Sequence, residues 1–327
     1  MRFGVIGTNF VTDWLLNAGK LCEDFELTTI YSRSLERASE YAKIHGAPYF
    51  TNSLAELAGS ANVDAVYIAS PTALHYSHAL QMIAGGKHVL CEKPFTSNLR
   101  ELQNLLDLAR EREVSIMEGV RPAFVPGLGK LRELMDEIGT IRRATISLCK
   151  YSSRYDSFLA GEPSNAFNPK LSNGALMDIG VYCIHVMLRL FGVPVSTQSC
   201  CAKLENGIDC AGSILADYGD KVVDIKYSKV SDDYQFCEIQ GEGGSIYFKD
   251  AITLSKIKIA RRGEAAPRAV EFSTLEHDMA YELSQFIRLA VSPQAFTEQN
   301  RYSIEVMRIL DETRKQCGIV FPADSES

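Results

Sequence analysis

Several things are missing from this chain, and each absence removes a class of function. No apolar run reads as long enough to span a bilayer. The first residues, Met1-Arg2-Phe3-Gly4-Val5-Ile6-Gly7, form a strand pattern rather than a signal peptide. No basic cluster stands out, and 34 Lys and Arg against 41 Asp and Glu leave a net charge of −7. That balance argues against nucleic acid as a partner. No Cys-x-x-Cys pair occurs among the nine cysteines, an odd number scattered along the chain. Cys200-Cys201 is the one close couple, and in its strand-like run adjacent side chains point to opposite faces. Without a secretion signal, the thiols read as reduced, small apolar residues of a cytoplasmic protein. The six histidines lack metal-ligand spacing and give no case for a metal. Internal repeats and low-complexity segments are absent as well.

What is present suits two cored domains: 327 residues with 46% hydrophobic content. Arg2–Ile6 is a short apolar strand that runs into Gly7-Thr8-Asn9-Phe10-Val11 and then a helical pattern to Cys22. Strand, glycine turn and helix open a dinucleotide-binding unit, with the helix N-terminus meeting a pyrophosphate. The G-x-G-x-x-G fingerprint is incomplete, because Asn9 replaces the second glycine and the third is missing as well. Asn tolerates positive φ better than other non-glycine residues, so the turn survives on that ground. The next strand, Phe25–Tyr31, ends in Tyr31-Ser32-Arg33-Ser34. A carboxylate for a ribose 2′-hydroxyl is missing there until Glu36, whereas Ser32, Arg33 and Arg37 offer donors suited to a 2′-phosphate. NADP(H) is therefore favoured over NAD(H). The plainer alternative makes Ser34 a helix cap and the arginines a solvated face.

Buried strands at Ala65–Ala69, Val89–Cys91 and Ser115–Met117 alternate with helical patterns at Ala73–Gly85 and Leu99–Arg112. This order fits right-handed crossovers in a parallel sheet whose strands end in small or polar residues on one edge. At that edge His88-Val89-Leu90-Cys91 leads into Glu92-Lys93, and Pro94 stops the strand. A lysine leaving a buried strand there is a site candidate, or else half of an ordinary loop ion pair.

With Ile68-Ala69-Ser70-Pro71-Thr72, His75 and Gly86-Lys87-His88-Val89-Leu90-Cys91-Glu92-Lys93-Pro94, the chain resembles the Gfo/Idh/MocA family over nearly its whole length. That family groups glucose–fructose oxidoreductase, inositol dehydrogenase and dihydrodiol dehydrogenase. The resemblance implies that Ala69, Ser70, Pro71, Thr72, His75 and Glu92 line the dinucleotide along with Gly7, Thr8, Asn9 and Phe10. It also implies that Lys93 reaches the oxygen on the reacting carbon.

After Arg121-Pro122 the pattern changes. A helix at Pro126–Glu137 is followed by alternating runs at Ile141–Lys150, Val195–Leu204, Cys210–Asp217, Lys221–Ser228, Asp233–Gln240 and Ser245–Phe248. They predict a large, mostly antiparallel open sheet with one buried face. Between the first two runs, Asp178, Tyr182 and His185 fall at i, i+4 and i+7 of a helix to Phe191. A polar stripe on an otherwise apolar helix needs partners or a cavity, so it is either a satisfied core network or part of a site. The stretch resembles the family's second signature. Inositol-dehydrogenase-like members carry His at the place of Tyr182, while the dihydrodiol-dehydrogenase and glucose–fructose oxidoreductase branches carry Tyr. The resemblance thus implies Tyr182, rather than His185, as the proton-transfer group. The long loop Tyr151–Phe167, with Ser152, Arg154, Tyr155 and Phe167, is placed to carry specificity. Arg121 pairs either with Glu118 or with a substrate anion. Amphipathic helices near Met279–Leu289 and Tyr302–Cys317 read as structural packing.

The sequence therefore predicts an α/β protein with a Rossmann domain over 1–121 and an α+β substrate-binding and oligomerisation domain over 122–327. Its expected activity is hydride transfer between NADP(H) and a hydroxyl-bearing carbon of a sugar, polyol or cyclic diol. Lys93, Tyr182 and Asp178 are the catalytic candidates, with Tyr155, Phe167 and His185 beside them on the substrate. A homodimer or homotetramer is expected. The rival is a sensor that binds NADP(H) and a sugar without turnover.

Overall fold

The computed structural model describes residues 1–162, 165–291 and 297–325. Two compact units emerge: Met1–Val120 with Leu275–Ile304, and Arg121–Thr274 with the chain from Glu305 onward.

In the first unit strands and helices alternate, and β3 and α3 add to the elements the sequence predicts: β1 (Arg2–Ile6), α1 (Phe10–Gly19), β2 (Glu26–Tyr31), α2 (Leu35–His45), β3 (Tyr49–Thr51), α3 (Leu54–Gly59), β4 (Ala65–Ile68), α4 (His75–Ala84), β5 (His88–Glu92), α5 (Leu99–Glu111) and β6 (Ile116–Gly119). Asn9, Ser34, Ser53 and Asn98 cap α1, α2, α3 and α5 by accepting backbone N–H groups of the first turn. The strands form one parallel sheet of order β3-β2-β1-β4-β5-β6. From β1 the chain runs outward one way to β3, then returns to β4 on the other side of β1. That reversal is a topological switch point, where ligands of open parallel sheets bind. Such sheets are covered on both faces, so β4 is buried at every position.

The second unit begins with α6 (Pro126–Met135), β7 (Ile141–Cys149) and the short α7 (Tyr155–Leu159), then reaches α8 (Val181–Phe191). Strands β8 (Ser196–Lys203), β9 (Asp209–Asp217), β10 (Val222–Ser228), β11 (Cys237–Gly241), β12 (Gly244–Phe248), β13 (Lys258–Arg261) and β14 (Arg268–Ala269) complete a sheet of order β14-β13-β12-β11-β7-β10-β9-β8. All its pairs are antiparallel except β7 with β10. One face is polar, with Arg143, Thr145, Ser213, Asp224, Lys226 and Glu238 around a shallow hollow of about 380 Å³.

Two helices close the chain, α9 (Met279–Ala290) and α10 (Thr297–Cys317). A single cut at residue 121 does not describe the units, because α9 packs on the first one. The Phe286 ring lies 6.0 Å from Phe3, and Ser115 Oγ donates to the Ala290 carbonyl at 3.2 Å. Met279, Leu283, Phe286 and Ala290 make the apolar stripe that this packing buries. A second expectation also changes. Pro169–Phe191 is long and apolar enough, by length and composition, to cross a membrane, although 72% of its window is buried within the fold.

Candidate active site

In the first unit the candidate residues collect at the carboxyl ends of β1, β4 and β5. Gly7 sits at φ +120, and a Cβ there would lie 2.7 Å from the Ala69 carbonyl oxygen, so only glycine lets the turn pass so close to the end of β4. Asn9 keeps the turn by a different route from the one expected. Its φ is −119, and its side chain accepts from Val11 N and Thr12 N while its amide donates to Ala69 O at 2.8 Å. Asn9 is thus a cap and a cross-tie, and positive φ plays no part. Thr12 Oγ1 donates to Gly7 O at 3.1 Å and locks α1 onto β1 where the third glycine is missing. The Arg37 guanidinium donates to Thr8 O at 3.1 Å and stands 5.7 Å from the Tyr41 ring centroid, which brings α2 to the glycine turn. Phe10 and Trp14 are exposed on the first turns of α1, their rings 5.0 Å apart. Ser32 follows β2, its N–H bonded to Thr51 O, and Arg33 beside it is exposed. A glycine-only turn feeding a capped helix N-terminus, flanked by arginines, fits a dinucleotide with a phosphorylated ribose.

The neighbouring strand ends are tied to one another. The two ring nitrogens of His75 lie 2.8 Å from Ser70 O and 3.0 Å from Pro94 O, linking the segment after β4 to the segment after β5. Burial pushes its pKa below the ordinary histidine value, although both carbonyls favour the charged form. His78, one turn along α4, bonds Ser70 Oγ at 3.0 Å. Burial first, then the charges of His75 and Arg33, hold His78 down to about 4. The sequence reading missed His78, although its i+3 spacing from His75 was visible. Pro71 and Thr72 carry the turn between β4 and α4. Glu92 accepts from the buried Tyr67 hydroxyl at 2.6 Å, and half-buried Lys93 follows it. Glu118 accepts from Phe95 N and Ser303 Oγ. Arg121 opens the second unit.

In the second unit the polar helix departs from its expected geometry. Leu176–Gly180 is a π-helical turn leading into α8, so one α-helical face does not run through Asp178, Tyr182 and His185. Such turns recur at functional sites. The Asp178 side chain is 41% exposed and Tyr182 is half-buried, whereas His185 is fully enclosed. Asp178 Oδ2 lies 2.8 Å from Nζ of Lys229, a buried lysine just after β10. Asp209, wholly buried on β9, accepts the Leu176 N–H at 2.6 Å. Burial pushes the Asp209 carboxyl up to about 6, against the lowering pull of that N–H and of the Lys229 charge. Phe167 is also enclosed, its ring 5.5 Å from Tyr155 and 5.4 Å from Phe158. Residues 163 and 164 of that loop lie outside the described residues. Phe167 and His185 are thus both buried, while Tyr155 keeps partial exposure. Among the described residues no cluster of His, Cys, Asp and Glu could hold a metal ion.

Residues 1–120 match the model of the oxidoreductase family with an NAD-binding Rossmann fold, and residues 129–247 match the Gfo/Idh/MocA C-terminal domain. The chain is 41% identical to the scyllo-inositol 2-dehydrogenase (NADP(+)) of Bacillus subtilis, across 99% of both chains. It belongs to the Gfo/Idh/MocA family. Within that family it is also 26% identical to the trans-1,2-dihydrobenzene-1,2-diol dehydrogenase of Danio rerio, over 95% of this chain and 98% of that one. Its fold matches a 3-ketoreductase from Actinomadura kijaniata, solved with NADP and TDP-benzene, at TM-score 0.86 and 22% identity, over 98% of this chain and 99% of that one. As a Gfo/Idh/MocA member the protein is an oxidoreductase that works with a nicotinamide dinucleotide.

Proposed function

We propose that the protein is an NADP(H)-dependent dehydrogenase acting on a hydroxyl-bearing carbon of a polyol, sugar or cyclic diol, with inositols as the leading substrate class. The observation that carries this reading is the end-to-end 41% identity to a dehydrogenase named for scyllo-inositol and NADP(+). Tyr182 had set the chain apart from inositol-dehydrogenase-like members, but that relative keeps inositols in view. Residues 1–120 with 275–304 supply the cofactor domain in this reading. The remainder supplies the substrate domain and the contacts of a homodimer or homotetramer in the cytoplasm.

The nicotinamide, when bound, supplies or takes up the hydride. Gly7, Thr8, Asn9 and Phe10 hold the pyrophosphate side, and Ser32, Arg33 and Arg37 hold the ribose phosphate. Ala69, Ser70, Pro71, Thr72, His75 and Glu92 shape the rest of the cofactor site. The Lys93 ammonium donates to the substrate oxygen as charge gathers on it. Tyr182 Oη takes or returns the hydroxyl proton. A phenol, with an ordinary pKa near 10, is a poor base at neutral pH unless a cation stabilises its phenolate, and Lys93 is assigned that task too. Asp178 orients the reacting groups, Arg121 is assigned to the cofactor, and Tyr155 lies along the substrate.

Steady-state kinetics on Lys93→Met, Tyr182→Phe and the double variant test this reading over a panel of polyols, sugars and diketones. Each single change should cost about 10²–10⁴ in turnover. The double should be little worse than the poorer single, because both serve one proton-transfer step. NADPH affinity should persist in Tyr182→Phe. Full activity in Tyr182→Phe would refute its role, and NADPH binding without turnover across the panel would point to a sensor.

A further inference from the structure

Lys229 is buried at some cost in free energy, and its partners show what the burial secures. Its side chain is 3% exposed, and an ammonium withdrawn from water needs close partners. Nζ lies 2.8 Å from Asp178 Oδ2 and donates to Ala166 O at 3.0 Å, while the Phe167 ring centroid is 4.9 Å away. The lysine is itself fixed, because its backbone N–H donates to Cys210 O and its carbonyl accepts from Ser152 N. One buried cation therefore joins the π-helical turn to the loop before it.

The same turn is held a second time at its start, where Asp209 accepts the Leu176 N–H. Its far end is closely packed, since a Cβ on Gly180 would come within 3.3 Å of the Tyr227 ring. A carboxylate that is 41% exposed, as Asp178 is, can be hydrated by solvent and needs no buried lysine to remain charged. The ion pair is better explained by where it holds Asp178 and the backbone leading to Tyr182. We propose that Lys229 is a positioning residue, which acts through Asp178 to fix the π-helical turn and the first turn of α8 in the geometry that turnover requires. This rests on the roles given above to Asp178 and Tyr182.

The test compares wild type with Lys229→Met, Lys229→Arg, Asp178→Asn and the double Asp178→Asn/Lys229→Met. Turnover and KM are measured on the best substrate of the panel with saturating NADP(H), and amide hydrogen exchange over 176–182 is followed without ligand. Lys229→Met should lower kcat about tenfold to a hundredfold with a smaller change in KM and unchanged NADPH affinity. Exchange at 176–182 should speed up about tenfold, and Lys229→Arg should recover most of both. The double should be no slower than Asp178→Asn, because the lysine works through that carboxylate. If Lys229→Met does not fold, the double, which leaves neither charge buried alone, carries the comparison. Turnover within twofold of wild type in Lys229→Met, or losses that multiply in the double, overturns the proposal. So does a lower melting temperature with unchanged kcat and exchange at 176–182, which marks a purely structural lysine. Full activity in both Asp178→Asn and Tyr182→Phe instead fails the underlying site assignment, a pattern distinct from failure at Lys229 alone.

Discussion

Arg33 and Arg37 divide the expected 2′-phosphate contacts unequally. Arg37 already spends hydrogen bonds on Thr8, while Arg33 is exposed beyond β2 and near enough to His78 to depress its pKa. A charged hydrogen bond is worth about 1.5–3 kcal/mol, so Arg33→Ala should weaken NADPH by roughly tenfold or more and leave NADH almost unchanged. Fluorescence titration of both cofactors checks this, and equal affinities in the unaltered protein would remove the NADP(H) preference. Single residues were also where the sequence was hardest to read. Lys229 is one lysine after one strand, with no spacing to connect it to Asp178 some fifty residues earlier. Asn9 was rightly placed in the glycine turn, but its backbone is extended, because a capping side chain can do the work that was ascribed to positive φ.

Elements were easier to read than their irregularities. Parallel strands buried on both faces leave apolar runs that end in Gly, Ser or Pro, so β1, β4 and β5 were legible with their carboxyl edge. The π-helical turn was not, since Asp178 and Tyr182 are four apart and fit an α-helix equally well. Two predictions belong at this level. Gly7→Ala forces a side chain into φ +120 and against the Ala69 carbonyl, so it should destabilise the first unit by about 1–3 kcal/mol and weaken NADPH binding. Urea unfolding showing no loss would mean that the turn can relax. The second concerns Asp209, whose folded pKa of about 6 lies above its ordinary 3.8. Protonation favours the folded state, so the stability this group contributes is complete below about pH 4 and is lost as pH rises through 6. Asp209→Asn keeps an oxygen for the Leu176 N–H without the charge. Relative to wild type it should therefore gain on the order of 2–3 kcal/mol between pH 4 and pH 7. A difference that does not vary with pH, followed by urea unfolding, would reject this account.

At the scale of the whole molecule, the open face of the eight-stranded sheet bears on assembly. That face carries the Arg143–Asp224 ion pair and Lys226 close to Asp233, so a contact that covers it would be polar and hydrated rather than core-like. Light scattering at micromolar concentration should show a dimer or tetramer that loosens as salt is raised, and a monomer would count against it. The two halves were legible from the change of hydrophobic period near residue 121. The return of α9 to the first was not, because an amphipathic stripe tells that a helix packs without telling on what. That return has a bearing on the order in which the protein can be made. β1 is made well before α9, so Phe3 cannot meet Phe286 until the whole intervening chain has been synthesised. In the second unit β7 likewise waits for β10 and β11, its neighbours on either side. Neither core can close while the chain is still short, so a nascent or truncated chain exposes strands that the finished protein hides, and chaperones would meet this protein mainly as an unfinished one.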